Sequence, residues 1–64
     1  MTPHIELVGI REQYGRRVVL MRVEGDADQG DVVEAAKAAA HDDAPFGVYV
    51  ERGRKVWAVH IYND

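Results

Sequence analysis

The segment Gly47–Tyr62, GVYVERGRKVWAVHIY, decides the fold. Its alternating β-branched and aromatic residues read as two strands joined by a turn at Arg52-Gly53. That turn sets Glu51 opposite Arg54 and Val48 opposite Trp57. One face then carries Val48, Val50, Trp57, Val59 and Ile61, the natural core side, which includes the only tryptophan. The other carries Tyr49, Val56, Ala58, His60 and Tyr62. Both faces of the hairpin are rich in apolar side chains, and a sheet covered on one side alternates more cleanly than this.

Upstream lies a helix that must cover the core side. Asp31-Val-Val-Glu34 has the form of a capping box, an acceptor at the N-cap with a glutamate three residues later. EAAKAAAH, Glu34–His41, follows with the strongest helix propensity in the chain. Val32, Ala36 and Ala39 share one helical stripe, with Val33 and Ala40 beside it. An alanine stripe lets a helix lie close to a sheet but contributes little bulk. Trp57, Val59 and Ile61 must supply that bulk from the strands. Asp42-Asp43-Ala44-Pro45 ends the helix, because a proline holds its predecessor out of helical geometry.

Before the polar loop Glu24–Gly30 comes another hairpin. Strands at His4–Ile10 and Arg16–Val23 flank Tyr14-Gly15, which reads as a two-residue loop. Glu12 then faces Arg17, an opposite-charge pair that supports the register, and Ile10 faces Val19. Val8 is expected opposite Met21. Leu7-Val8 breaks the alternation just before Gly9, and a glycine in a strand pattern often marks a bulge. With Val8, Ile10, Val19, Met21 and Val23 inward, Leu7, Val18 and Leu20 point away from the helix.

The order is ββαββ: an α+β, two-layer domain spanning 1–64, with one helix on a four-stranded, mostly antiparallel sheet. Strand orders 1-2-4-3 and 2-1-3-4 both keep every neighbouring pair antiparallel. One helix covers one face. The outward set, Leu7, Val18, Leu20, Tyr49, Val56, Ala58, His60 and Tyr62, is therefore the expected protein-interaction surface.

Composition narrows the chemistry. A chain of 64 residues buries only ~60% of its unfolded surface and usually needs a supplement to its core. With no cysteine, disulfides and thiolate metal sites are excluded, which makes self-association or a protein partner the expected supplement. Serine is absent and Thr2 is the only threonine, so serine- or cysteine-type acyl transfer lacks its nucleophile. The net charge of −3 indicates neither a polyanion-binding arm nor a nucleic-acid mimic. No apolar run is long enough for a membrane span, and MTPHIELV lacks the form of a signal peptide, so the expected location is cytoplasmic. The bias towards arginine, alanine, valine, glycine and aspartate suits a GC-rich bacterial or phage genome.

Metal and catalytic patterns are weak. His4 and His60 sit on strands and come close only if the first and last strands pair. Zinc needs three or four convergent ligands, and no such spacing occurs. Asp26-Ala-Asp28-Gln-Gly-Asp31 departs from a calcium loop at Gly30, Asp31 and Lys37. The glycines form neither a P-loop nor a dinucleotide fingerprint. No cofactor and no enzymatic activity are expected. Arg11, Arg16 and Arg17 near the first turn, with Arg52, Arg54 and Lys55 at the second, form the alternative, a nucleic-acid contact through hairpin tips. Chain direction places Asp42 and Asp43 beside the first tip and Asp26, Asp28 and Asp31 beside the second, which breaks up any broad positive face.

Overall fold

Tyr14 and Gly15 both adopt positive φ, 53° and 77°, in the computed structural model, which describes residues 3–63. Positive φ at both central positions is the type I′ geometry whose twist matches that of paired strands. The loop joins β1 (His4–Gln13) to β2 (Arg16–Glu24) with Glu12 opposite Arg17 and Ile10 opposite Val19, as the sequence predicts. The register then slips between Leu7 and Gly9. This bulge beside Gly9 puts Leu7, not Val8, opposite Met21.

The slip has a hydrophobic cause. Ile5, Leu7 and Ile10 are spaced two and then three apart, and strict alternation cannot put all three on one side. One extra residue does so. Ile5 pairs with Val23, Leu7 with Met21 and Ile10 with Val19, all partners being core residues. Leu7 therefore lies on the helix side, which overturns its expected outward position.

The helix α1 (Gln29–Ala39) is capped three residues before the expected position. Asp28 is the N-cap, and its Oδ1 accepts from the Gly30 N–H at 3.2 Å. Asp31 falls instead in the first turn, where a carboxylate still complements the helix dipole. The C-terminus closes before Pro45 can act. His41 takes φ 55°, its N–H donates to the Ala38 carbonyl at 3.1 Å, and the Asp42 N–H donates to Lys37 at 3.0 Å. These are the two bonds of a Schellman motif, with histidine in the place usually held by glycine. Arg17 reaches from β2 to donate to the Ala40 carbonyl at 2.7 Å, placing a cation at the negative end of the helix.

β3 (Gly47–Glu51) and β4 (Val56–Tyr62) complete a sheet ordered β1-β2-β4-β3, antiparallel throughout. Their register differs from the expected one. Val48 pairs with Ile61 and Glu51 with Ala58, so the loop is Arg52–Lys55 and not a two-residue turn. A tight turn would have paired Val48 with Trp57 and carried Val59–Tyr62 past the end of β3. The wider loop pairs β3 with the strand-forming end of β4 and leaves the charged residues in solvent. Because the shift is four residues, an even number, both faces keep the membership read from the alternation.

Val19, Met21, Val23, Val32, Ala36, Ala40, Trp57, Val59 and Ile61 form the core between helix and sheet. The buried helix residues are Val32 and Ala36, with Ala40 as the cap, so the strands do supply the bulk. Trp57 is closed off from the loop side by Arg52, whose guanidinium lies 4.3 Å from the ring centroid.

The first turn carries a removable strain. Tyr14 is 95% exposed and packs on nothing that repays its left-handed backbone. Tyr14→Asn, which suits that conformation, is expected to stabilise the fold by on the order of 1 kcal/mol. Thermal unfolding checks this; a gain of roughly 4–8 °C is expected for a domain of this size.

Candidate interaction face

On the side of the sheet away from α1, the pairings lay out a grid. One row runs Arg11, Val18, His60, Tyr49 from β1 to β3, and the next runs Gly9, Leu20, Ala58, Glu51. A third holds Glu6, Arg22 and Val56. At the first-turn end Gln13 pairs with Arg16, and Tyr62 pairs with Gly47. The Arg16 guanidinium sits 5.3 Å from the Tyr62 ring centroid.

The centre of this face is apolar and its margins are charged. Val18 is already buried among its neighbours, and Leu20, Ala58, His60 and Tyr62 are half-buried. Tyr49 and Val56 are exposed. His60 Nε2 lies 3.2 Å from Glu51 Oε1, and its ring is 5.5 Å from that of Tyr49. This pair fixes the Glu51 carboxylate at the β3 margin. Across the sheet, the β1 and β2 half carries Arg11, Arg16 and Arg22 against two carboxylates, Glu6 and Glu24, both at the end away from the first turn. The uncompensated cations of the face, Arg11 and Arg16, thus lie towards the first turn on β1 and β2, and Glu51 is the carboxylate of the β3 margin.

Seven of the eight residues expected at the interface share this face; Leu7 does not, for the reason of the bulge. Leu7, Val8 and Ile10 are 41–49% exposed, because α1 lies chiefly over β2 and only partly covers the β1 edge. The basic residues divide. Arg11 and Arg16 belong to the outer face. Arg17 lies on the helix side, engaged with Glu12 at 3.4 Å and with the Ala40 carbonyl. Arg52 covers Trp57, and Arg54 and Lys55 remain at the loop. Of the five aspartates that chain direction sets beside the tips, two line hollows with the basic residues. Asp42 shares a hollow with Arg16 and Arg17, and Asp26 shares one with Arg52 and Arg54.

His4 and His60 are not brought together, since β2 lies between β1 and β4. Among the described residues no group of three or more histidine, aspartate or glutamate side chains could hold a metal ion, and no helix is long and apolar enough to cross a membrane. Gly9, Arg22 and Glu51 are among the residues of the face that the sequence reading did not place there. Parity marks Arg22, two positions beyond Leu20 on the same strand, and Glu51, two beyond Tyr49. Gly9 needed the bulge.

No protein-family model, curated protein or solved structure matches the chain.

The Tyr62 ring occupies the space where any side chain at Gly47 would begin. Gly47→Ala is therefore expected to expel the ring and cost about 1–3 kcal/mol, an overpacking penalty read from the denaturation midpoint. Adding Tyr62→Ala should recover most of that loss. A Gly47→Ala protein as stable as the parent would show that the ring does not constrain this corner.

Proposed function

We propose that this chain is a non-enzymatic protein-interaction module that docks through its outer sheet face, in the first place onto a second copy of itself. The observation that carries the reading is the unpartnered face: Val18, Leu20, Ala58, Tyr49, Tyr62 and Val56 lie together on the side without a helix. A short chain with no disulfide gains more than a large one from covering such a surface. Of the two docking modes the sheet offers, the face is favoured over an edge. β3 has only five residues, and β1 is bulged and carries His4, Glu6, Arg11 and Glu12. These are devices that discourage strand addition. The closest pairing of potential acid–base groups, His60 with Glu51, lies on an open strand surface, which favours a structural role over a catalytic one. A cytoplasmic regulator, inhibitor or phage accessory protein would use such a module.

A second reading has one observation in its favour. Arg11, Arg16 and Arg22 share the face with Tyr49 and Tyr62, a combination that can hold single-stranded nucleic acid by charge and stacking. Against it stand Glu6 opposite Arg22, Glu51 at the far margin, and the intramolecular engagement of Arg17 and Arg52.

Light scattering at micromolar concentration tests the first reading. A dimer is expected, and Leu20→Glu or Val56→Glu should return it to a monomer that keeps the parent's circular dichroism, with a melting temperature that no longer rises with protein concentration. A strict monomer indifferent to both substitutions overturns self-association. Oligonucleotide shifts at low salt that weaken steeply towards physiological salt, with a flatter slope in Arg11→Ala/Arg16→Ala, would install the second reading instead.

A further inference from the structure

The grid on the outer face constrains how two copies can meet. Face-to-face stacking by a two-fold axis places that axis in the interface plane, and for sheets packed with their strands aligned it runs close to parallel or perpendicular to the strands. The perpendicular axis reverses the rows while keeping each strand over its own copy. It would bring Val18 onto Leu20 and the Arg16 end onto the Arg22 end, bulk against bulk and cation against cation. The parallel axis keeps the rows and exchanges the strands, β1 over β3 and β2 over β4.

We infer that two copies stack by their outer faces about a two-fold axis parallel to the strands, with Leu20 of each seated on Ala58 of the other and Arg11 of each beside Glu51 of the other. The inference rests on the self-docking reading above and adds its geometry. Leu20 and Ala58 are cross-strand partners in one row, so exchanging β2 and β4 sets the bulkiest side chain of that row over a single methyl group, twice. Gly9 and Glu51 end the same row. Exchanging β1 and β3 puts Glu51 over Gly9, where nothing lies within 4 Å of the absent Cβ. Arg11 is then one two-residue step along the strand from that carboxylate, about 6.8 Å, which an arginine spans across sheets stacked ~10 Å apart. Among the described residues Arg11 has no carboxylate within ion-pair distance, while Glu51 is held by His60 with 65% of its side chain still exposed. The charges at the two margins thus become self-complementary, Arg11 of each copy on Glu51 of the other, as a closed two-fold interface requires. The area also suffices. A standard interface takes ~800 Å² from each partner, roughly a sixth of this molecule's 4625 Å² surface, a share that one face of a two-layer domain can supply.

Charge reversal tests the axis. Arg11→Glu and Glu51→Arg should each raise the dimer dissociation constant about tenfold or more, since every dimer contains the contact twice, and the double variant should return to within about threefold of the parent. Sedimentation equilibrium measures all four proteins. Thermal melts accompany them at concentrations low enough for all four to be monomeric, where unchanged melts are expected because both residues are exposed. Losses that add in the double variant overturn the proposed axis. A dimer that Leu20→Glu dissociates but neither charge reversal affects overturns the axis while sparing the self-docking face. A parent protein that stays monomeric overturns both. As an independent check, Ala58→Leu should weaken the dimer and Leu20→Ala/Ala58→Leu should restore it by exchanging knob and hollow; failure of that rescue counts against the seating.

Discussion

A helix of eleven residues can shield one face of a four-stranded sheet and no more. At ~1.5 Å per residue it is about 16 Å long, close to the width of four strands spaced ~4.8 Å apart. Every other feature of this domain adjusts to that limit. Alanines at positions 36 and 40 let the helix approach closely, so the strands furnish the bulk: Met21, Trp57, Val59 and Ile61. Arg17 fastens the last helical carbonyls to β2, and Asp28 closes the other end. What the helix cannot reach is left to its neighbours. Arg52 covers Trp57, Tyr62 covers Gly47, and Val18 is buried among side chains of its own face.

The layers, the element order and the membership of each face were legible because they depend on alternation, which survives errors of detail. The second hairpin shows this well. Its loop holds four residues where two were expected, yet an even shift returned every side chain to the same side. Cap positions were less legible. Asp28 and Asp31 are equally good acceptors three residues apart, and choosing between them depends on how the loop from Glu24 arrives. The helix stop was mistaken for a similar reason. Proline at 45 is the visible breaker, but His41 turns left-handed first and leaves no glycine to read. The outer face was found as a set of apolar residues, whereas its charge pattern was not. Strand order was needed to see that Arg11 and Glu51 stand at opposite margins.

The bulge at Leu7–Gly9 links the core to the outer surface. Without it, alternation anchored on Ile10 would turn Glu6 towards the helix and put Ile5 and Leu7 outside. With it, Ile5, Leu7 and Ile10 line one side, while Glu6, Gly9 and Arg11 line the other. The same inserted residue therefore serves two ends. It keeps a carboxylate off the helix side and puts apolar side chains there instead, next to Val23, Met21 and Val19. It also lowers the relief of the outer face at its β1 corner, placing a glycine between an acidic and a basic residue. A strand bulged for the sake of its core is a poor template for edge pairing, and it is also one whose outer side is low and charged where the opposite margin of the sheet, at Glu51, projects a carboxylate. Core packing on one side of β1 thus sets the shape and the charge of the surface on the other.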